Sequence, residues 1–357
     1  ERQIDHDALS RPDLIPTSPS GEQPRTVNMS RLGSVLTDLD PAIHAMIIWN
    51  CNPLVTVPNA ELIRRGLARD DIFIVVHEQF LTDTARYADI VLPATTQLEA
   101  DDVVFPWGHL WVTYNAAAIA PQGEACNNTE LFRRIAAAMQ LNEASLYDDD
   151  QTLMRDALST IDLKELRREG WLQAPYPDDG RPFGDPDDAT PFPTDSGKVE
   201  FASDQLEMIG QPRIPTFVAP RESLGGDCAL TSRFPFQLLT PKHHSRFLNS
   251  GYAQLPKHGP TEGGPFVELC AQDAVMIGVA DGDFACVKND RAAIEVIVQI
   301  SERVRPGVAA IPFGWWSDHH SDGRVANALT NDALTDWGGG VAFSDTLVAI
   351  TPVKTTP

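Results

Sequence analysis

Three short apolar runs in the first third of the chain predict β-strands of one sheet. They read AMIIWN, IFIVVHE and ADIVLP, and the first ends just before Asn52 and Pro53. Continuous apolar runs of this length, bounded by turn residues, are typical of strands buried on both faces. Between the first two runs, Leu62, Ile63 and Leu67 lie on one face of a predicted helix. This alternation of strand and helix predicts part of a parallel, Rossmann-like α/β sheet.

The predicted strands end in polar, turn-rich segments at residues 50–53, 77–82 and 93–99. A parallel sheet binds its ligands just beyond the carboxyl ends of its strands, so these segments form a candidate ligand-binding edge. A sheet of only three strands is small for a domain of this type. We therefore expect further strands of the sheet to lie outside the given 357 residues.

The last third of the chain has a different pattern. From about Cys228, short β-rich runs such as AAIEVIVQI and GVAAIPF alternate with Gly and Asp turns. Many short strands with little helix predict a small closed β-barrel, here of six or seven strands over residues 228–352. The fold class is thus α/β plus all-β. The predicted domains are a linker and lead-in segment (1–40), a partial α/β domain (41–145), an irregular and helical connection (146–227) and the barrel (228–357).

The composition disfavours several classes of partner. The chain has 28 Lys and Arg against 50 Asp and Glu, which gives a formal net charge of −22. Such acidity argues against nucleic acid and against anionic membrane surfaces as partners, because both require a basic patch. The sequence also contains no run of 18 apolar residues, so it predicts no membrane-spanning helix.

The cysteines and histidines do not form a metal-binding pattern. The five cysteines are widely spaced without a C-x-x-C pair, which is typical of reduced thiols in a cytoplasmic protein. The adjacent histidines at 243–244 and 319–320 lack a suitably spaced third ligand. We therefore predict no metal ligands in this chain and a cytoplasmic location, with any export signal lying upstream.

An ordered series of motifs carries a family resemblance. The series reads NCNP, VVHEQFLTDTARYADIVLPATTQLE, DSGKVEF, AQDAVMIGVADGDFACVKNDR, VRPGVAAIPFGWW and ANALT. Together these motifs resemble the C-terminal half of the molybdopterin oxidoreductases of the dimethyl sulfoxide reductase family. The resemblance implies a bis-molybdopterin guanine dinucleotide cofactor with molybdenum or tungsten, bound between an α/β domain and a double-psi β-barrel. It also implies two-electron redox chemistry on a small substrate.

The resemblance also implies which residues contact the cofactor. Glu78 and Thr82 match guanosine contacts, Lys242 lies in a cofactor-facing barrel loop, and Trp316 matches an aromatic near the metal-side pterin. A carboxylate suits the N–H groups of guanine, and a lysine can neutralise a phosphate. We expect the sheet residues and the barrel residues to line one cleft. The full predicted set is Asn52, Pro53, Glu78, Thr82, Thr240, Lys242, His244, Asn249, Ser250, Trp316 and Asn327.

Two features of the family are missing from these residues. The cysteine cluster that binds an iron–sulfur centre and the Cys, selenocysteine or Ser that ligates the metal both lie upstream in the family. No catalytic residue is therefore assigned. We expect this chain to work with an N-terminal portion of the same polypeptide or with a separate subunit, and to bind no molybdenum alone; the redox partner is unknown. The alternative is a non-catalytic structural subunit of an electron-transfer complex that retains the fold.

Overall fold

The computed structural model describes residues 25–105, 109–158, 161–174, 192, 194, 196–242, 249–251, 253–257, 263–335 and 338–353. The chain divides into two compact units. The first unit combines Glu1–Val91 with Ala219–Pro357, and the second is Leu92–Val218, each as far as it is described. The early α/β segment and the barrel therefore belong to the same compact unit.

The helices in chain order are α1 (Leu32–Asp38), α2 (Pro53–Thr56), α3 (Ala60–Leu67), α4 (Asn128–Ala138), α5 (Asp150–Ala157), α6 (Leu163–Glu169), α7 (Asp204–Met208), α8 (Cys228–Arg233) and α9 (Ala271–Ile277). The strands are β1 (Ala45–Trp49), β2 (Phe73–Glu78), β3 (Ile90–Pro93), β4 (Asp102–Val104), β5 (Trp111–Asn115), β6 (Trp171–Gln173), β7 (Phe236–Leu239), β8 (Phe266–Leu269), β9 (Phe284–Lys288), β10 (Ala293–Ile300), β11 (Val308–Ala310) and β12 (Leu347–Pro352).

The predicted three-stranded sheet is confirmed. Its order is β1-β2-β3, and β1 and β2 run parallel, with Ile47 opposite Val75. Helices α1 and α3 pack on one face, where Leu36 and Ile63 join a core with residues of β1 and β2. The two helices approach closely because Gly66 has no side chain: an added Cβ would lie 2.4 Å from the Cβ of Leu36.

The prediction that β1 and β3 are buried on both faces is wrong. Side chains alternate between the faces of a strand, and one face of this sheet is open. On that face Ile47, Trp49 and Phe73 are 41%, 44% and 48% exposed. On β3, Ile90 and Val91 point to opposite faces and are both exposed. The described residues cover that face only in part: His77, opposite Trp49, is buried, whereas Ile47, Trp49 and Phe73 form an exposed group that we call the open apolar face.

The predicted closed β-barrel is confirmed, with six strands. Its order is β10-β8-β11-β7-β12-β9, and β9 pairs with β10 to close it. Two neighbouring pairs, β10 with β8 and β11 with β7, are parallel, and the others are antiparallel. Residues that alternate along the strands, including Val287, Val296 and Leu238, are buried in the interior.

Hydrogen bonds join the α/β segment to loops of the barrel within the first unit. The Nδ2 group of Asn327 donates to the carbonyl oxygen of Val55 at 2.8 Å. The backbone N–H of Asn59 donates to the carbonyl of Thr330 at 3.1 Å, and its side chain donates to Asp332 at 3.2 Å. The loop after β11 is thereby fixed to the segment between α2 and α3.

The second unit contains an antiparallel sheet that the sequence pattern did not predict. Its order is β4-β5-β6, and Val112 packs with Met154, Leu158, Leu163 and Leu166 in a separate small core. These strands are only three to five residues long, too short for a clear periodic signal. Helix α4 begins after Asn127, whose side chain accepts a hydrogen bond from the N–H of Glu130 at 2.9 Å.

Candidate cofactor site

The loop after β1 holds a buried asparagine in a fixed orientation. Asn52 is 4% exposed and directly precedes Pro53, the first residue of α2. Its Oδ1 atom accepts hydrogen bonds from the backbone N–H of Thr84 at 3.2 Å and from the Thr84 hydroxyl at 2.8 Å. The hydroxyl in turn accepts from the N–H of Leu54 at 3.1 Å. The loops that follow β1 and β2 are thus locked together.

One polar atom of this arrangement lacks a partner. The Nδ2 group of Asn52 is buried, and it forms no hydrogen bond within the described residues. A buried donor without a partner costs about 1–3 kcal/mol, so such atoms often mark a ligand position. The orphaned donor therefore fits a bound cofactor, at the strand ends where an α/β sheet binds its ligands.

Glu78 ends β2 and is half-buried. Burial raises the pKa of the Glu78 carboxyl above its ordinary value, although the N–H of Gln79, which donates to Oε1 at 2.7 Å, partly offsets this. Burial, and then the Glu78 charge, raise the pKa of the Cys51 thiol in the loop after β1. The ends of β1 and β2 lie together, since Trp49 pairs with His77. We call residues 50–53 and 78–84 the strand-end rim.

The hydroxyl of Thr82 stabilises the turn that follows β2. It accepts a hydrogen bond from the N–H of Ala85 at 3.1 Å, and the side chain is 3% exposed. The adjacent Asp83 accepts from the hydroxyl and the N–H of Ser317 in a barrel loop. The turn is therefore attached to the barrel beside the strand-end rim, and a guanosine contact for Thr82 stays a prediction.

Three predicted barrel residues lie together at the loop that precedes Gly251. The indole N–H of Trp316 donates to the carbonyl of Ser250 at 2.8 Å, and both residues are buried. Gly314 permits this approach, because its φ is +109° and an added Cβ would lie 2.2 Å from the carbonyl oxygen of Asn249. Asn249 is exposed and has a positive φ of 53°. The structure thus brings Asn249, Ser250 and Trp316 into one loop cluster.

The remaining predicted barrel residues differ in their surroundings. Thr240 follows β7 and is buried. Lys242 is exposed, and its backbone forms an isolated parallel β-bridge with Phe313. His244 lies outside the described residues. The side chain of Asn327 is 1% exposed and already occupied by the Val55 carbonyl. A cofactor contact for each of these residues, and one cleft shared with Glu78, stay predictions.

A cavity of about 310 Å³ lies beside the turn after β2. Leu54 and Ser317 are among its lining residues, together with three arginines. Each arginine has an acidic partner: Arg64 and Arg324 pair with Glu61, and Arg86 pairs with Asp318. This neutralisation makes the cavity a poor site for a free anion.

The described residues contain neither a group of side chains that could bind a metal ion nor a membrane-spanning helix. No group of three or more His, Cys, Asp and Glu side chains among them is arranged to hold a metal ion. His320 is buried, and desolvation followed by the neighbouring His319 lowers its pKa to about 4. In the same part of the chain, no helix is sufficiently long and apolar to cross a bilayer.

Sequence reasoning missed the residues that support the strand-end rim. Thr84, Asp83 and Ser317 hold Asn52 and the turn after β2, but none was a candidate. The available signal was the polar stretch TDT, which begins four residues after the end of a predicted strand, in a region where ligand-binding loops are expected. The contact to Ser317 crosses 234 positions of sequence, so no local pattern predicts it.

Comparisons with known proteins define the class of this chain. Residues 28–138 match the family model described as molybdopterin oxidoreductase. Residues 236–347 match the model described as "Molydopterin dinucleotide binding domain". The first match contains the strand-end rim, and the second contains most of the barrel. The class is that of molybdopterin-binding enzymes.

Individual relatives support the same assignment. The chain is 36% identical over 354 residues to the probable oxidoreductase YoaE of Bacillus subtilis (strain 168), covering 97% of this chain and 49% of that protein. It is 28% identical over 297 residues to the dimethyl sulfoxide/trimethylamine N-oxide reductase of Rhodobacter capsulatus, covering 75% of this chain and 35% of that protein. The chain belongs to the dimethyl sulfoxide reductase family of molybdopterin oxidoreductases.

The fold agrees with a solved structure. Acetylene hydratase from Pelobacter acetylenicus superimposes with a TM-score of 0.78 at 22% identity, over 92% of this chain and 47% of that chain. At this identity the likeness establishes the fold alone. The chain spans about half the length, or less, of these relatives.

We predict that Glu78→Gln stabilises the cofactor-free protein at neutral pH. The folded state holds the Glu78 proton more tightly than the unfolded state, so the free energy of unfolding falls as pH rises from about 4.3 through the raised pKa. The variant has no carboxyl to ionise, so its free energy of unfolding does not decrease in this way. Its thermal unfolding midpoint at pH 7 should be about 1–2 °C above that of the wild type. The gain should vanish near pH 4, where the carboxyl is protonated in both states. An equal gain at both pH values would contradict this explanation.

We predict that Gly314→Ala destabilises the barrel loop cluster. The positive φ and the contact with the Asn249 carbonyl should together cost about 2–4 kcal/mol of unfolding free energy in urea. The matched control is Gly264→Ala, where no neighbouring atom lies within 4 Å and the backbone is not left-handed. That variant should change stability by less than about 0.5 kcal/mol. Equal effects of the two substitutions would show that the close approach is unimportant.

Proposed function

We propose that this chain binds the guanine dinucleotide arms of a molybdopterin cofactor and is part of an oxidoreductase that acts on a small substrate. The orphaned Nδ2 donor of Asn52 is the observation that carries the proposal. It lies at a strand end, in the chain segment that matches the molybdopterin oxidoreductase model. When bound, the cofactor supplies two-electron chemistry at its metal. The residues of this chain bind and orient it.

The donors and acceptors of the site suit the parts of such a cofactor. Glu78 can accept from the N–H groups of a guanine edge, since a carboxylate presents two oxygens. Lys242 is exposed and can neutralise a phosphate as a point charge. Ser250, whose carbonyl accepts from Trp316, and the adjacent Asn249 form a loop for a second cofactor contact. We propose the bis-molybdopterin guanine dinucleotide form with molybdenum or tungsten, and a double-psi arrangement for the barrel.

We propose that the remaining parts of the enzyme lie in the complete protein and not in this chain alone. These parts are the metal ligand, any iron–sulfur cluster and the sites for the substrate and the redox partner. We propose that the chain works with an N-terminal portion of the same polypeptide or with a separate subunit. We further propose a cytoplasmic location and no nucleic acid or membrane partner, in keeping with the spaced cysteines and the net charge of −22.

The open apolar face supports the proposed partner. Parallel sheets are almost always covered on both faces, because both sides of their strands are apolar. Here Ile47, Trp49 and Phe73 remain more than two-fifths exposed. The curated relatives have about twice the length of this chain, enough for a covering domain. We propose that the N-terminal portion packs on this face.

A non-catalytic subunit remains the second candidate, since a fold can persist after the chemistry is lost. The fold alone also does not select a reaction type, because a protein named a hydratase shares it. Cofactor content separates the two candidates. The complete protein should contain metal and guanine nucleotide if it is an enzyme, and neither if the fold has only a structural role.

We predict that the complete protein contains two guanine nucleotides per metal ion, released by acid and measured against protein concentration. Glu78→Gln should shorten the half-time of cofactor loss about tenfold or more, because a charged hydrogen bond contributes about 1.5–3 kcal/mol. The control is Glu143→Gln, at an exposed position of the second unit. Wild-type protein without pterin would overturn the proposed function. Equal retention by both variants would remove Glu78 from the site.

We predict that Ile47→Asp strongly destabilises the complete protein. A charge placed in a covered apolar interface lacks a partner and should cost about 3 kcal/mol or more. The matched control is Ile297→Asp, a strand isoleucine of the barrel with 39% exposure compared with 41% for Ile47. That change should cost about 1 kcal/mol or less. Similar small effects at both positions, measured by urea unfolding, would mean that the open apolar face stays open.

A further inference from the structure

We infer that Thr84 is a positioning residue that fixes the carboxamide of Asn52, so that Asn52 presents an N–H donor to an acceptor oxygen of the bound cofactor. The inference rests on the proposed function and assigns a direction to the contact. Asn52 is the residue that meets the ligand, and Thr84 acts through it. Neither the family matches nor the sequence motifs assign a role to Thr84.

The hydrogen bonds determine which end of the amide faces inward. The backbone N–H of Thr84 is always a donor, and it points at one terminal atom of the Asn52 side chain at 3.2 Å. That atom must therefore be the oxygen, since an NH₂ group cannot accept. The opposite end of the carboxamide is then the NH₂ group, and it is the atom that lacks a partner within the described residues.

The hydroxyl of Thr84 adds a second hydrogen bond in the orientation that the backbone N–H sets. It accepts from the N–H of Leu54 at 3.1 Å, so its own proton is free to point toward Asn52. It donates that proton to the Oδ1 atom at 2.8 Å. Two donors on a single oxygen hold the planar amide against rotation. Thr84 is 0% exposed, so water does not compete for either bond.

The chemistry of the ligand atom follows from this orientation. The Nδ2 group can only donate, and it is buried, so it requires an acceptor to offset its desolvation. The dinucleotide arm of the proposed cofactor is rich in phosphate and carbonyl oxygens. An acceptor of this type forms a hydrogen bond with the Nδ2 group of Asn52. A donor group of the ligand would leave both itself and the Nδ2 group without a hydrogen bond.

The test compares two pairs of substitutions in the complete protein. Asn52→Asp keeps the size and the acceptor for Thr84 but replaces the outward donor with a negative acceptor. Asn52→Ala removes the group without adding charge. We expect the half-time of cofactor loss to decrease in the order wild type, Asn52→Ala, Asn52→Asp, with Asn52→Asp at least tenfold below wild type. Retention by Asn52→Asp equal to or above that of wild type would overturn the inferred direction of the contact.

The second pair tests the positioning role. Thr84→Val keeps the shape but removes the hydroxyl, and Thr84→Ser keeps the hydroxyl. We expect Thr84→Val to release cofactor several-fold faster and Thr84→Ser to restore retention to within about twofold of wild type. Thr346→Val is the matched control: Thr346 is also 0% exposed and donates to the Phe343 carbonyl at 3.1 Å in a barrel loop. The Thr346→Val variant should have a lower unfolding midpoint than the wild type but should release cofactor no faster.

The outcomes distinguish this inference from the proposed function. Equal release rates for Thr84→Val and Thr346→Val at matched losses of stability would show that Thr84 is merely structural. If the Asn52 and Thr84 variants contain cofactor and lose it as slowly as wild-type protein, the inference is overturned and the proposed function stays intact. Absence of pterin and guanine nucleotide from wild-type protein would overturn both.

Discussion

A buried side-chain amide connects the barrel to the α/β segment, and the position of the proposed cofactor site depends on it. Asn327 is 1% exposed and donates to the carbonyl of Val55, three residues after Asn52. Thr84, the hydrogen-bond partner of Asn52, directly follows Asp83. Asp83 accepts hydrogen bonds from Ser317 of a barrel loop. Removing one partner of a buried hydrogen bond costs about 1–3 kcal/mol, so these contacts define the geometry of the strand-end rim. The barrel therefore acts as a support for the α/β loops as well as a binding domain.

The two faces of the parallel sheet differ for a physical reason. One face is covered by α1 and α3, whose close contact requires the missing side chain of Gly66. The other face leaves large apolar side chains such as Trp49 partly exposed to water, at a cost of about 25 cal/mol per Å² of exposed apolar surface. Within one strand, Ile48 is buried and its neighbour Trp49 is exposed. This difference supports the proposal that an N-terminal portion packs on the open apolar face.

Local patterns predicted the elements, but long-range contacts decided the site. The run AAIEVIVQI predicted β10 because β-branched residues alternate there, and the closed barrel followed from many such runs. The same reasoning placed Asn52 and Glu78 at strand ends. It failed for the burial of β1, because an apolar run is identical whether or not a second layer covers it. It also gave no role to Thr84, because the hydrogen bond to Asn52 spans 32 positions and depends on the folded sheet.

The most direct measurement is an experimental structure of the complete protein with its cofactor bound. We predict an acceptor oxygen of the cofactor within about 3.2 Å of the Asn52 Nδ2 atom, with Thr84 still donating to Oδ1. We also predict that the same cofactor contacts the loop of Asn249 and Ser250. A structure in which the Nδ2 atom bonds to protein or bulk water, while the cofactor binds away from the strand-end rim, would contradict these predictions.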